Sequence, residues 1–528
     1  MWSQTYQPLG GNLALSALAA AMPLFALLYL LGVRRKPSYV AGLAGLATAL
    51  LMALAVYRMP PSLAIASILY GAAYAVFPIT WVILWAIFLY RLTVETGQFE
   101  IVKDSIAGLT QDRKMQALLI AFAFGAFVEG AAGFGTPVAV AAGMLGGLGF
   151  SPFYAAGICL LANTAPVAFG SLGTPILMLA GVTSLPLDKL SAAVGRICAP
   201  VSVFVPAYLV AVMGGWAGLK EAGLAAAACG IAFASTQLIV SNWLGPSLTD
   251  ILGSLASLLV LVVLLKAQGR GAKLQHTAGQ VFRAWAPYGF LVVCVILAGV
   301  PAVRDWLDRA SAVFGWPGLH NLVQQGPPVA AEGSAYAAKY KLNLLSASGT
   351  AGLVACLISA LWLRAPFRLL KQVLLTTVRQ LALPTLTVCS VLGLAFLMNY
   401  SGMTATLGLV FAASGPAFPM FSALLGWLGV FLTGSDTSAN ALFGNLQVVT
   451  ANRLGLNPVL TAAANSSGGV MGKMLSLQSI AVAAAATGLA ASDESKLFRF
   501  TLKHSILLAS IIGLVTLFYA YVRPDWVP

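Results

Sequence analysis

The sequence predicts an all-α polytopic membrane protein with roughly 12–14 transmembrane helices, two inverted repeats and re-entrant or broken helices. The first observation is composition: 59% of the 528 residues are hydrophobic and only 8% are charged, with a mean hydropathy of +0.90. Soluble domains carry about 25% charged residues, so a soluble protein is excluded. The other two observations are a series of long apolar segments and a set of motifs that recurs in the second half of the chain.

The apolar segments are long enough to cross a bilayer, which needs about 20 helical residues. They cover residues 11–33, 38–57, 72–92, 116–148, 153–181, 197–215, 222–241, 247–265, 284–301, 347–363, 380–400, 417–433, 459–490 and 505–522. Several are too long or too rich in glycine for one straight helix, which predicts the broken and re-entrant helices. Residues 62–71 are predicted to form a short helix at the membrane surface. The first segment is interpreted as a transmembrane helix and not as a cleavable signal peptide.

Basic residues between the segments predict which loops face the cytoplasm, because such loops carry an excess of lysine and arginine. The predicted cytoplasmic loops contain Arg34–Lys36, Lys103–Lys114, Lys266–Arg283 and Arg364–Arg379. One span precedes the first of these loops, so the N-terminus is predicted to lie outside, and so is the polar stretch 302–346. The net charge of +14 is explained by these loops and does not indicate nucleic-acid binding.

Four motifs recur about 300 residues further along the chain in the same order, which indicates an internal repeat. The first-half motifs are Thr96-Gly97, Phe127-Val-Glu-Gly130, Gly149-Phe-Ser-Pro152 and Asn163-Thr-Ala-Pro-Val-Ala-Phe-Gly170. Their counterparts are Ser401-Gly402, Phe431-Leu-Thr-Gly434, Gly455-Leu-Asn-Pro458 and Asn465-Ser-Ser-Gly-Gly-Val-Met-Gly472. The predicted loops place the first copy entering the membrane from inside and the second from outside. Inverted repeats of this kind let two broken elements meet near the midplane, at a site that opens alternately to each side.

These features divide the chain into units that follow the repeat. The predicted units are N-terminal transmembrane helices (1–61), a first transport repeat (62–181), connecting helices that include the polar loop 302–346 (182–365), a second transport repeat (366–490) and a C-terminal transmembrane helix (491–528). The two repeats are expected to carry the functional residues, because such sites form at the interface between repeats.

Two acidic residues lie deep within apolar segments, beside helix-breaking residues. They are Glu129, within Phe127-Val-Glu-Gly-Ala-Ala-Gly-Phe-Gly-Thr-Pro137, and Asp436, within Thr433-Gly-Ser-Asp-Thr-Ser-Ala-Asn440. An ionisable group at this depth costs about 2.5–3.5 kcal/mol or more, so it is usually functional. Because a carboxyl that is easily neutralised can carry a proton with a substrate, both are predicted to be proton-coupling residues of a transporter. A buried hydrogen-bonded pair with a purely structural role is the alternative.

Small polar residues and glycines beside these acids are predicted to bind the substrate. Asn, Ser and Thr offer donors and acceptors without net charge, which suits a substrate hydroxyl and carboxylate. Glycines leave backbone N–H groups free at half-helix N-termini, where anions are favoured. Helix packing is the alternative role for any one of these residues. The predicted substrate-binding residues are Gly130, Gly133, Gly135, Thr136, Asn163, Thr164, Gly434, Ser435, Thr437, Asn440, Asn465, Ser466, Ser467 and Lys473.

Two other charges lie in apolar stretches. Lys473 is expected to pair with a substrate carboxylate or to neutralise Asp436, and snorkelling from a helix end is the alternative. Its surroundings are not a phosphate loop, because Met474 stands where such a loop needs Ser or Thr. Asp250 follows Gly245-Pro246 by one turn and is interpreted as the start of a helix near the membrane surface.

No metal, cofactor or enzymatic activity is expected. The apolar segments contain no His, Asp and Glu cluster with metal-ligand spacing and no Ser–His arrangement. The helix breaks occur in a paired repeat and not in a ring around a pore, which favours a carrier over a channel.

At these motifs the sequence resembles the L-lactate permease family of bacterial carboxylate–proton symporters. The resemblance extends over essentially the whole chain and rests on residues 127–137, 163–170, 429–443 and 472–474, on Gly97-Gln-Phe and on Leu497-Phe-Arg-Phe-Thr-Leu-Lys-His-Ser505. It implies uptake of L-lactate, with D-lactate and glycolate as close relatives, by proton symport across the bacterial inner membrane. Thr136, Ser466-Ser467 and Leu477 depart from the family pattern, which leaves the choice between these substrates open.

The expected partners are therefore a small 2-hydroxy monocarboxylate, H⁺ and the lipid bilayer. In this interpretation backbone N–H groups and Asn, Ser and Thr side chains hold the carboxylate with Lys473, while Glu129 or Asp436 carries the proton. A sodium-coupled transporter of small carboxylates is the alternative, since hard cations prefer carbonyl and hydroxyl oxygens. The sequence does not set the oligomeric state.

Overall fold

The computed structural model describes residues 1–133, 135–268, 275–330 and 333–528. Phe134 of the first motif, part of the predicted loop Lys266–Arg283, and residues 331 and 332 of the polar stretch lie outside the described residues. Within the described ranges, ten helices are long and apolar enough to cross a membrane, or up to twelve if two bent pairs each count as one span. The predicted helical membrane fold is confirmed, with a number of spans at the lower end of the prediction.

Most of the helices follow one another through the chain with short connections, apart from the β-containing stretch between α14 and α15. Those of the first half are α1 (Leu13–Gly32), α2 (Ser38–Ala55), α3 (Pro61–Tyr74), α4 (Trp81–Glu95), α5 (Gln98–Ala107), α6 (Arg113–Gln116), α7 (Gly125–Ala131), α8 (Thr136–Gly147), α9 (Pro152–Ala162), α10 (Gly170–Thr183), α11 (Leu187–Trp243) and α12 (Thr249–Ala267). Those of the second half are α13 (Ala278–Gly299), α14 (Pro301–Asp308), α15 (Ser348–Leu363), α16 (Phe367–Ser401), α17 (Met403–Phe411), α18 (Phe418–Thr433), α19 (Asp436–Leu454), α20 (Pro458–Gly472), α21 (Leu477–Thr487) and α22 (Ala491–Tyr521).

Other helical turns and a few short strands complete the described secondary structure. Wider π-helical turns cover Ala75–Thr80 and Ala117–Phe124, and 3₁₀ turns cover Val167–Phe169, Pro246–Leu248, Ala412–Ala417, Lys473–Leu475 and Pro524–Trp526. The strands are β1 (Trp2–Ser3), β2 (Ala312–Gly315), β3 (Val323–Gln325), β4 (Ser334–Tyr336) and β5 (Lys339–Leu342).

Each half of the chain contains a helical hairpin followed by a broken span. In the first half α7, which ends at Ala131, and α8, which begins at Thr136, form the hairpin, and α9 and α10 form a span bent by 64°. In the second half α18 and α19 form the hairpin, with its tip at residues 434–435, and α20 and α21 form a span bent by 43°. The predicted internal repeat is therefore confirmed as two copies of one structural unit.

The two hairpins enter the molecule from opposite faces. The base of the first lies among the basic loops, where the Arg113 guanidinium donates to the carbonyl of Gly149 (3.2 Å). The base of the second lies beside α17, which is joined to the N-terminal segment by a hydrogen bond from Thr406 Oγ1 to the carbonyl of Tyr6 (2.9 Å). These contacts support the inverted relation of the two copies, which stays a prediction from the loop charges.

Helix α11 consists of two antiparallel arms. Gly215 (φ 57°, ψ −148°) reverses the chain direction, in a backbone conformation that glycine adopts readily. Ser191 Oγ on one arm donates to the carbonyl of Ser241 on the other (2.8 Å). The predicted segments 197–215 and 222–241 thus fall on separate arms of α11, which the count of ten treats as one helix.

The expectation that residues 62–71 form a surface helix is wrong. They belong to α3, which continues into α4 through a break at Phe77-Pro78. Gly71 packs against α16 so closely that a Cβ there would approach the carbonyl oxygen of Leu392 to 2.5 Å. The small residues of this segment serve close helix packing, which a short apolar stretch does not reveal by its pattern alone.

The polar stretch 302–346 forms a small cap with β-strands, which the all-α prediction did not include. Strand β2 pairs antiparallel with β5, while β3 pairs antiparallel with β4 and parallel with β1 from the N-terminus. This pairing places the N-terminus and the polar stretch on one face of the molecule, as predicted. Tyr340 of β5 extends into the break between α3 and α4, where its hydroxyl donates to the carbonyl of Phe77 (2.9 Å).

Helices α18 and α20 of the second repeat touch through glycines. A Cβ at Gly426 would lie 1.8 Å from the carbonyl oxygen of Asn465, and one at Gly468 would lie 2.0 Å from that of Ala423. Because small residues let two helices approach within the membrane, this contact sets the position of α20 and of the residues it carries.

We expect Gly426→Ala to lower the midpoint of thermal unfolding in detergent, because overpacking of a close contact costs about 1–3 kcal/mol. The matched control is Gly289→Ala on α13, where a Cβ would meet nothing within 4 Å. That control should leave the midpoint unchanged or raise it, since alanine favours helix over glycine. Equal midpoints for wild type and Gly426→Ala would contradict the close contact.

Candidate functional site

A cavity of about 320 Å³ lies where the two repeats meet. The charged residues that line it are Glu129, Asp436 and Lys473. Its size is within the range of small-molecule sites, about 300–1,000 Å³. The cavity therefore brings together the three charges that the sequence singled out inside apolar segments.

The cavity continues towards the face that carries the basic loops. Pro37 and Gly434 line it and also line a second cavity, whose walls include Arg35, Lys36 and Arg499. An anion that approaches the site from this face thus passes a cluster of positive charge, which favours its arrival.

Glu129 lies near the end of α7, just before the tip of the first hairpin. Its side chain is 5% exposed, and Oε2 has no hydrogen-bond partner among the described residues. The side chain of Asn163, at the end of α9, interacts with this carboxyl. A Cβ at Gly170 would lie 2.5 Å from Oε1, so the absence of a side chain there makes room for the carboxyl.

Asp436 begins α19 at the tip of the second hairpin and is 3% exposed. Its Oδ2 accepts hydrogen bonds from Ser466 Oγ (2.6 Å) and Asn440 Nδ2 (3.3 Å), while Oδ1 has no partner among the described residues. One carboxylate oxygen is thus held by the protein and the other is free for a proton or a ligand.

A chain of amide side chains supports Asp436 from behind. Asn465 Nδ2 donates to Asn440 Oδ1 (2.9 Å), and Gln447 Nε2 donates to Asn465 Oδ1 (3.0 Å). Asn440 Nδ2 also donates to the carbonyl of Pro175 on α10 (3.1 Å). The network therefore links the second hairpin to the broken span of the first repeat.

Lys473 occupies the break between α20 and α21. Its Nζ donates to the carbonyl of Gly434 at the tip of the second hairpin (2.6 Å), and Gly434 itself has a left-handed backbone (φ 73°). The ammonium also interacts electrostatically with Glu129 and Asp436. The structure thus places this lysine inside the site and does not show the snorkelling that was the alternative.

Sequence reasoning missed a second polar wall, at the start of α10. Ser171 and Thr174 line the cavity, and residues 171–173 all have left-handed φ values of 44°, 57° and 78°. Such strain in non-glycine residues is concentrated at functional sites. The sequence feature that could have revealed this wall is the tripeptide Gly173-Thr-Pro175, which repeats Gly135-Thr-Pro137 of the first hairpin.

The predicted site residues divide into two groups in the structure. Those that line the cavity are Glu129, Gly434, Ser435, Asp436, Thr437 and Lys473. Those that do not line it are Gly130, Gly133, Gly135, Thr136, Asn163, Thr164, Asn440, Asn465, Ser466 and Ser467. For both groups, the role in binding or proton coupling stays a prediction. In the described part of the chain, no three His, Cys, Asp or Glu side chains are grouped to hold a metal ion.

The interpretation of Asp250 as part of a helix start is confirmed, but its surroundings are not those of an exposed residue. It lies in the first turn of α12 but is only 1% exposed. A Cβ at Gly130 would come within 2.8 Å of the Asp250 Cβ, so this acid packs against the Glu129 hairpin. The pattern of apolar residues along the sequence could not show the contact of Asp250 with Gly130, because it joins elements about 120 residues apart.

Comparison with known proteins identifies relatives over the full length. A family model described as L-lactate permease matches residues 16–523. The L-lactate permease of Bacillus subtilis (strain 168) is 46% identical and that of Escherichia coli (strain K12) 44% identical, each over 100% of both chains. The glycolate permease GlcA of Escherichia coli (strain K12) is 45% identical over 99% of this chain and 98% of its own.

A solved structure supports the fold at low sequence identity. MtrF of Neisseria gonorrhoeae, from a class of antimetabolite efflux pumps, aligns with a TM-score of 0.52 and 12% identity, over 94% of this chain and 97% of that one. This likeness concerns the architecture of the helices alone.

We expect Ser466→Ala to lower the midpoint of thermal unfolding, because it removes the 2.6 Å hydrogen bond to the buried Asp436 carboxyl. A hydrogen bond within a protein contributes about 0.5–1.5 kcal/mol, and Asn440 Nδ2 remains as the other donor to this oxygen. The matched control is Ser359→Ala, since among the described residues the buried Ser359 hydroxyl bonds to the carbonyl of Ala355 in its own helix (2.6 Å). Equal shifts of the midpoint for both variants would contradict a supporting role for Ser466.

Proposed function

Since this chain belongs to the L-lactate permease family, we propose that it imports L-lactate, and also D-lactate or glycolate, by proton symport. It is a multi-pass membrane transporter and not an enzyme. The proposal adds the coupling ion, the residues that carry it and the direction of transport across the bacterial inner membrane.

The observation that carries the proposal is the charge balance of the cavity. Glu129, Asp436 and Lys473 are its charged residues. With both carboxyls ionised the cavity carries a net negative charge and repels a monocarboxylate. One bound proton makes it neutral, and protonation of both acids leaves the lysine as an unbalanced positive charge. Proton uptake and anion binding therefore favour each other, which is the thermodynamic basis of symport.

The substrate carboxylate is placed at the tip of the second hairpin. Lys473 offers an ammonium there, and α19 begins at Asp436 with its N-terminus towards the cavity, where backbone N–H groups favour an anion. Ser435 and Thr437 line the same wall and supply hydroxyls. Thr174 of the first repeat also lines the cavity, and its hydroxyl suits the 2-hydroxyl group of the substrate.

The orientation of the cavity fits the inward-facing half of an alternating-access cycle. The cavity continues towards the α1–α2 loop, which carries Arg34–Lys36, and loops of this charge face the cytoplasm. The N-terminus and the β-containing cap then lie outside. In an outward-facing state the hairpin that is now exposed would be covered and the other hairpin would be exposed, as in other transporters with inverted repeats.

A sodium-coupled carboxylate transporter is the second candidate. Glu129 Oε2 and Asn163 Oδ1 are buried oxygens without partners among the described residues, and hard cations bind such oxygens. Uptake of labelled lactate in sodium-free buffer at an imposed pH gradient separates the two candidates. Uptake that needs sodium and ignores the pH gradient would replace proton coupling with sodium coupling.

We expect Glu129→Gln and Asp436→Asn each to reduce concentrative lactate uptake into proteoliposomes by at least about tenfold, because each removes a proton-carrying group. The measurement is uptake of labelled L-lactate under an imposed pH gradient. The exposed acids Glu95 and Asp305 give matched controls as Glu95→Gln and Asp305→Asn, which should transport as wild type does. If both site variants still concentrate lactate normally, these residues do not couple the proton.

We expect transport to be electroneutral, because one proton accompanies one monovalent anion. When vesicles that contain the protein are adsorbed on a solid support, added lactate should give no sustained current. The lumen of the same vesicles should become more acidic. A lactate-dependent inward current of positive charge would contradict the one-to-one ratio.

A further inference from the structure

Asp250 is a buried acid without any bond that would explain its presence. It is 1% exposed, and neither carboxylate oxygen has a hydrogen-bond partner among the described residues. It does not cap its helix, since α12 has no side-chain cap. A carboxyl in such surroundings is stable only as the neutral acid, and an acid without a structural partner inside a membrane indicates a function.

The neighbours of Asp250 connect it to the candidate site. Helix α12 packs against α7, α10 and α11. The titratable groups that act on Asp250 from these helices, in the described part of the chain, are the carboxyl of Glu129 on α7 and the thiol of Cys198 on α11. Gly130, next to Glu129, has no side chain, and this allows α12 to approach the hairpin.

A separate cavity of about 530 Å³ lies close to the start of α12, although Asp250 itself does not line it. Its walls include Ser247 and Leu248, directly before α12, together with Arg304 and Lys341 of the outer cap. The cavity around Glu129 opens to the opposite, basic-loop face. Asp250 therefore follows two residues of the outer cavity's wall by less than one helical turn and packs against the hairpin that carries Glu129.

We propose that Asp250 is the proton-transfer residue that loads Glu129 from the outer cavity. The inference rests on the proton symport proposed above. In each cycle Glu129 releases its proton to the cytoplasmic side through the open cavity. After the carrier has returned to its outward-facing state, the Asp250 O–H bond breaks and its proton forms an O–H bond on the Glu129 carboxylate. The Asp250 carboxylate, now ionised, takes a new proton from water in the outer cavity, so that charge and protons balance.

The test is Asp250→Asn in proteoliposomes, with two kinds of transport measured on the same preparation. Asn keeps the size of the side chain but cannot carry a proton. We expect concentrative lactate uptake under a pH gradient to fall at least about tenfold. Exchange of external labelled lactate for internal lactate needs no net proton transfer and should stay within about twofold of wild type. Asp250→Glu should recover part of the uptake.

Each other outcome overturns the inference. Normal concentrative uptake by Asp250→Asn would show that the proton does not pass this residue. Loss of uptake and exchange together, in protein with an unchanged thermal unfolding midpoint, would assign Asp250 to substrate binding. If Asp250→Asn does not fold, Asp250→Ala is measured in the same way. A wild type that takes up lactate without regard to the pH gradient would overturn the proposed function itself.

Discussion

The structure depends on one constraint: a helix broken inside a membrane frees backbone carbonyls that lipid cannot satisfy. In both repeats a side chain from the broken span bonds to the tip of its own hairpin. Ser171 donates to the carbonyl of Ala132 in the first repeat (2.9 Å), and Lys473 donates to that of Gly434 in the second (2.6 Å). The hairpin and the span of each repeat are thereby held together at the point where both are broken.

This constraint also explains why the site lies where it does. The two hairpins and the two bent spans are all interrupted around the same space. Neither lipid nor a regular helix fills this space, and it forms a polar cavity. Asn440 joins the two repeats by its bond to the carbonyl of Pro175 (3.1 Å). In the proposed alternating-access cycle, a motion that opens the other side of the cavity would carry or break this bond.

The charged side chains in the cavity and the helix breaks around it together form the candidate site. The low dielectric of the surroundings makes the interaction of Glu129, Asp436 and Lys473 strong, and in the proposed symport the gain or loss of one proton changes the affinity for an anion. In the proposed proton route, Asp250 extends this arrangement towards the second cavity. Two carboxyls near the first hairpin and one at the second show that the repeats share a backbone plan but not the same chemistry.

The sequence by itself determined the membrane class, the inverted repeat and the three charged residues of the cavity. Each of these follows from a local property, since composition, segment length, loop charge and a rare ion in an apolar stretch can be recognised without knowing the fold. Only the tertiary structure decided that Asn465 and Ser466 support Asp436 from behind, that Ser171 and Thr174 form the opposite wall, and that Asp250 lies beside Glu129. The direction of a side chain and the pairing of distant helices depend on close packing between small residues, and that packing has no signature within a single segment.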